Sequence, residues 1–100
     1  MYFLVKYKSI NKLGMVNLPK KWRAALGFQD GERVEIRMLR NEIWIFHGTN
    51  ENYENQRFIS SRGMVNIPAE FRRILEIDTD TELCMYAEVT QNAFIIKPYS

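Results

Sequence analysis

Residues 10–28, INKLGMVNLPKKWRAALGF, lie over residues 59–77, ISSRGMVNIPAEFRRILEI, at a constant offset of 49 with no gap. Eight of the nineteen positions are identical: Ile10/Ile59, Gly14/Gly63, Met15/Met64, Val16/Val65, Asn17/Asn66, Pro19/Pro68, Arg23/Arg72 and Leu26/Leu75. Leu18/Ile67 and Trp22/Phe71 are conservative pairs. The segments that follow also agree, VEIRMLRNEIWIF against ELCMYAEVTQNAFII, once two extra residues are allowed in the second turn. Self-similarity of this kind marks one supersecondary unit used twice.

Each unit reads β-β-α-β-β. Residues 2–10 are aromatic and apolar with interspersed lysines, the pattern of a strand with one wet face. Residues 11–14 form a turn, with glycine where φ turns positive. Residues 15–18 are a short strand, and Pro19 opens a helix that runs to Leu26 and stops at Gly27. Trp22, Ala25 and Leu26 form its expected inner side, leaving Lys20, Lys21 and Arg23 outside. Residues 33–39 and 42–46 form a hairpin about Arg40–Asn41. The second unit repeats the plan, with a helix over 68–75 that turns Phe71, Ile74 and Leu75 inward. Its hairpin pairs 83–89 with 93–97 around Thr90, Gln91 and Asn92.

The expected organisation is a first unit at 1–47, a polar linker at 48–56 and a second unit at 57–100. A unit of about 45 residues cannot bury a sufficient core alone. The two therefore intertwine or pack as a pseudo-twofold pair within one domain, the covalent equivalent of a symmetric dimer.

Composition fits a single folded domain of 100 residues, with 46% apolar, 26% charged and 13% aromatic side chains. One cysteine, Cys84, excludes an internal disulfide. The first ten residues read as structure rather than as a signal peptide, and no apolar run reaches bilayer length. A cytoplasmic protein without a membrane partner is expected.

The net charge of +2 hides a gradient. Residues 1–49 carry nine basic and four acidic groups, net +5, and residues 50–100 carry five and eight, net −3. From Lys6 to Arg23 there are six cations and no acid: Lys6, Lys8, Lys12, Lys20, Lys21 and Arg23. Arg57, Arg62, Arg72 and Arg73 face only Glu70 in the matching part of the second unit. Such clustering makes one positive face, suited to the phosphates of a nucleic acid. Lys20 and Lys21 oppose the dipole at a helix start, which favours a functional use over arbitrary placement. Arg23 and Arg72 have a competing structural use, pairing with Asp30 or with Asp78 and Asp80. His47 has no second ligand nearby, and no metal, cofactor or catalytic set is expected. The chain reads as a non-enzyme.

In GMVNLPKKWRAALGF and GMVNIPAEFRRILEI the chain resembles the SpoVT/AbrB/MazE-like superfamily. Its signature is a turn glycine, a short strand ending in Ile/Leu-Pro, and a helix arginine four residues past the proline. The resemblance implies an all-β fold with short helices: a swapped-hairpin, AbrB-like β-barrel, formed here as an intrachain pseudo-dimer. It also implies a DNA-binding transcriptional regulator that contacts duplex DNA through basic residues of the early strands and helix starts. Carried over by position, its basic residue before the turn falls on Lys8 and Arg57, and its helix arginine on Arg23 and Arg72. Arg73 doubles the latter in the second unit only. Met15 and Met64 replace the arginine usual after the turn glycine, while Lys12 and Arg62 supply charge to the same region.

The expected DNA-binding set is thus Lys6, Lys8, Lys12, Lys20, Lys21, Arg23, Arg57, Arg62, Arg72 and Arg73. Duplex DNA is the expected partner, with a second copy of the chain or a small protein as further partners. Two alternatives stand beside it: a structural or protein-interaction barrel, and an antitoxin-like subunit lacking the toxin-wrapping tail. The unequal charge of the two units implies preference for an asymmetric DNA site.

Overall fold

The computed structural model describes residues 2–49 and 55–99, apart from the side chains of Tyr7 and Lys8. The first unit contains β1 (Tyr2–Lys8), β2 (Met15–Asn17), α1 (Lys20–Leu26), β3 (Arg33–Leu39) and β4 (Glu42–His47). The second contains β5 (Gln56–Phe58), β6 (Met64–Asn66), α2 (Ala69–Ile74), β7 (Leu83–Glu88) and β8 (Ala93–Pro98). The β-β-α-β-β order therefore occurs twice. Residues 50–54 of the expected linker lie outside the described residues.

The units are woven together. A six-stranded sheet runs β1-β7-β8-β4-β3-β5, so each unit's first strand edges the other unit's hairpin. The hairpins meet at the centre through β4 and β8, with Trp44 opposite Ile95. β2 and β6 pair only with each other, with Val16 opposite Val65. A pseudo-twofold axis thus passes through both of these residue pairs. The hairpin tips explain why the offset grows from 49 to 51 in the last strands. Arg40 and Asn41 close the first in two residues, both with positive φ of 53° and 64°, as a tight hairpin turn of this twist requires. The second tip takes four residues, 89–92, and closes with the Asn92 N–H on Val89 O at 3.3 Å.

The expected β-barrel does not form. The six-stranded sheet is open, with β1 and β5 at its ends, and β2–β6 stands apart as a two-stranded ribbon. The cause lies in the ribbon strands, which are three residues long between a turn glycine and a proline. Proline offers no N–H to prolong a ladder. The short strands are consumed in pairing with each other, and among the described residues no ladder joins β1 to β5.

Alternation sends Val34, Ile36, Ile43, Ile45, Leu83, Met85, Phe94 and Ile96 to the inner face of the large sheet. They meet Val16 and Val65 of the ribbon and Leu26 and Phe71 of the helices in one core. Trp44, Ala93 and Ile95, with Phe46 and Tyr86, form a smaller cluster on the outer face.

Both helices are capped by the prolines rather than begun by them, with Pro19 at φ −58°, ψ 137° and Pro68 at φ −52°, ψ 135°. Gly27 ends α1 in the left-handed region at φ 79°. Glu76 occupies the corresponding place after α2, with φ 55°. Ala25 and Ile74, expected inside, are exposed. Helices of seven and six residues bury a stripe only one side chain wide. That stripe is the i, i+4 pair, Trp22 with Leu26 and Phe71 with Leu75, and the i+3 position falls outside it.

Candidate nucleic-acid interface

The ribbon is built by its two turns. In the first, Asn11 Oδ1 accepts from the N–H groups of Leu13 and Met15, each at 2.9 Å, and Gly14 takes φ 77°. In the second, Ser60 Oγ accepts from Arg62 N at 3.2 Å and Met64 N at 3.0 Å, and Gly63 takes φ 79°. Both turns are side-chain-capped tight turns that demand glycine at their last position.

Each turn is then bound to the opposite unit. The Leu18 N–H donates to Gly63 O and the Ile67 N–H to Gly14 O, both at 2.8 Å. Asn17 Nδ2 donates to Arg62 O at 2.9 Å, and Asn66 Nδ2 to Leu13 O at 3.0 Å. The helix arginines complete the lock. Arg23 Nε donates to Leu18 O at 2.7 Å and Arg72 Nε to Ile67 O at 3.1 Å, with their guanidinium groups against Gly63 and Gly14. Arg23 Nη1 also pairs with Asp30 Oδ1 at 2.6 Å, and its side chain is only 11% exposed. Thr79 stands at the Asp30 position of the second unit.

With Val16 and Val65 buried, alternation turns Met15, Asn17, Met64 and Asn66 to the outer side of the ribbon, where all four are half-buried. Cations flank them. Lys6 Nζ donates to Asn17 Oδ1 at 3.3 Å, and Arg57 Nε to Asn66 Oδ1 at 3.4 Å. Lys6 reaches the ribbon because β1 carries a bulge between Leu4 and Lys6, which sets Lys6 opposite Met85 of the inner face. Bulges re-aim side chains in this way. Lys12 and Arg62 are exposed on the two turns, Lys20 and Lys21 on α1, and Arg73 on α2. Lys8 lies in β1, and its side chain is outside the described residues.

The structure therefore brings Lys6, Lys12, Lys20, Lys21, Arg57 and Arg62 around one ribbon. It sets Arg23 and Arg72 into the joints between the units. Residues 2–29 and 55–69, which form the ribbon, its turns, β1, β5 and α1, contain no carboxylate side chain. Asn17 and Asn66 were missed as site residues by sequence reasoning. Their identity at the fixed offset, beside buried valines, was the available signal.

Elsewhere, His47 lies between the Glu32 carboxylate and Leu26 O and stacks on Phe28 at 3.8 Å between ring centres. Asp78 caps its own turn, accepting from the Asp80 N–H at 2.8 Å and the Thr81 hydroxyl at 3.1 Å.

A solved structure of similar fold is "The solution structure of PHS018 from pyrococcus horikoshii", at 18% sequence identity and a TM-score of 0.55. The match covers 99% of this chain and 91% of that one, and at this identity it speaks for the fold alone. No protein-family model matches the chain, and no curated protein matches it. The expected placement as a SpoVT/AbrB-domain protein is corrected accordingly. What stands is a duplicated β-β-α-β-β unit in a swapped-hairpin-like arrangement.

Proposed function

We propose that the chain binds duplex DNA through the β2–β6 ribbon and acts as a DNA-binding regulator of transcription. The observation that carries this reading is the carboxylate-free ribbon ringed by cations from both units. A two-stranded ribbon has the width to enter the major groove, and cations on either side position it by contacting phosphates. The resemblance of the two GMVN(L/I)P segments to DNA-binding regulators supports the same reading. Both amides of the ribbon are already engaged, and Asn17 Nδ2 also reaches Met64 Sδ at 3.6 Å, so Met15 is the outward ribbon side chain left to face the bases.

The test is fluorescence anisotropy with a random duplex and with the DNA upstream of the chain's own gene, over a range of salt. Engagement of about four to six phosphates gives a log–log salt slope of roughly −4 to −5. Tighter binding to the upstream DNA supports regulation. No binding to either duplex at low salt rejects the DNA reading.

A second reading, a protein-interaction module, is favoured by the outer face of the large sheet. There Tyr2, Leu4 and Leu39 are exposed beside the Trp44 cluster. A chain that ignores DNA would shift attention to that face.

A further inference from the structure

We infer that the two ends of the ribbon grip DNA unequally, and that the stronger end is a composite of both units. It combines the exposed Lys20 and Lys21 of the first unit with the exposed Arg62 of the second. This rests on the DNA reading above and adds which side chains act together.

Divided along the chain, the cations make a strong first unit and a weak second one. The swap redistributes them. Because the Leu18 N–H binds Gly63 O and Arg23 lies against Gly63, the turn carrying Arg62 sits beside the start of α1. Asn17 ties the same corner together, holding Lys6 Nζ with its oxygen and Arg62 O with its nitrogen. Three exposed cations, Lys20, Lys21 and Arg62, thus share one end of the ribbon with the half-buried Lys6 and with the exposed Asp30, which pairs with Arg23.

At the other end, the Ile67 N–H binds Gly14 O and Arg72 lies against Gly14, which sets the turn carrying Lys12 beside α2. There the positions of Lys20 and Lys21 are held by Ala69 and Glu70. The exposed charges are Lys12 and Arg73 against Glu70. Arg57, half-buried, holds Asn66 as the half-buried Lys6 holds Asn17, so these two cations balance between the ends. Arg23 and Arg72 bind backbone carbonyls at both ends, at Leu18 and Ile67. The imbalance lies in the exposed side chains, which are the ones able to reach phosphates.

The experiment compares Arg62→Gln with Lys12→Gln, and Lys20→Gln/Lys21→Gln with Ala69→Lys/Glu70→Lys, on a random duplex across salt. All six positions are exposed, and circular dichroism with a thermal midpoint checks each fold. Arg62→Gln is expected to weaken binding several-fold more than Lys12→Gln and to lower the salt slope by about 1. Lys20→Gln/Lys21→Gln should flatten the slope further. Ala69→Lys/Glu70→Lys should build a second strong end, tightening binding about tenfold or more and steepening the slope. Equal losses from Arg62→Gln and Lys12→Gln, with the wild type binding, would overturn the composite end and leave the DNA reading intact. A wild type that shows no salt-dependent binding overturns both.

Discussion

The guanidinium of Arg72 lies so close over Gly14 that a Cβ on that glycine would come within 2.7 Å of its central carbon. Arg23 stands in the same relation to Gly63. Gly14→Ala must therefore strain the φ of 77° and push Arg72 away from Ile67 O. Left-handed strain of about 1–2 kcal/mol and loss of a charged hydrogen bond of about 1.5–3 kcal/mol predict a total cost of roughly 2.5–5 kcal/mol. Gly31 is the control, since it has φ 79° with nothing within 4 Å of a built Cβ. Gly31→Ala should cost about 1–2 kcal/mol from backbone strain alone. Urea unfolding of both variants checks the difference, and combining Gly14→Ala with Arg72→Ala should give less than the sum of the two losses.

Asn17 supplies a second test of the joint between the units. Its amide nitrogen donates to Arg62 O at 2.9 Å, so Asn17→Asp sets a carboxylate oxygen against a carbonyl oxygen. A loss of about 1–3 kcal/mol follows from the unmade bond and the repulsion. Denaturant melts at pH 7 measure it. Asn17→Asp should also weaken DNA binding beyond its loss of stability, because it places a negative charge on the ribbon.

The repeat made much of this architecture legible. Gly14, Gly27 and the Arg40–Asn41 turn each impose a local geometry that their residue type announces, and the structure follows them, whereas Pro19 caps its helix instead of beginning it. Barrel closure was not legible, because it depends on which edges the three-residue strands can reach rather than on any local pattern. Ala25 and Ile74 misled because a two-turn helix buries less of its circumference than periodicity suggests. The cations were visible in the sequence, but their grouping was not. Alternation along β1 puts Lys6 on the wet face with Tyr2 and Leu4, and only the bulge returns it to the ribbon. Arg62 joins α1 through a swap that no spacing within its own unit reveals. Arg23 and Arg72 were readable as cations, whereas their commitment to Leu18 O and Ile67 O depends on tertiary packing.

Glu76 holds a left-handed φ of 55° where the first unit has Gly27. A glycine there relieves the backbone strain, so Glu76→Gly should stabilise the fold by about 1 kcal/mol. Gly27→Ala should destabilise it by a similar amount, since a Cβ there meets only His47 Cε1 at 3.9 Å. Thermal midpoints moving in opposite directions would establish that both positions act through the helix end.

The turn after α2 gives a pH dependence. The Asp80 N–H first, and the Thr81 hydroxyl second, hold the Asp78 carboxyl below its usual value of 3.8. A carboxyl lowered on folding stabilises fully above its unfolded value, and that contribution disappears as pH falls through the folded value. The difference in thermal midpoint between the wild type and Asp78→Ala should therefore be constant near neutrality and narrow below pH 3.8. A gap that stays constant into acid would show that Asp78 acts there without its charge.

The central claim is that the swapped ribbon is the DNA-binding surface, and amide NMR during titration with a random duplex tests it most directly. The predicted result is salt-sensitive shifts concentrated in residues 11–21 and 60–66, with the amides of Tyr86, Ile95 and Trp44 on the opposite face of the sheet unmoved. Shifts concentrated on that opposite face, or no shifts at low salt, would contradict it.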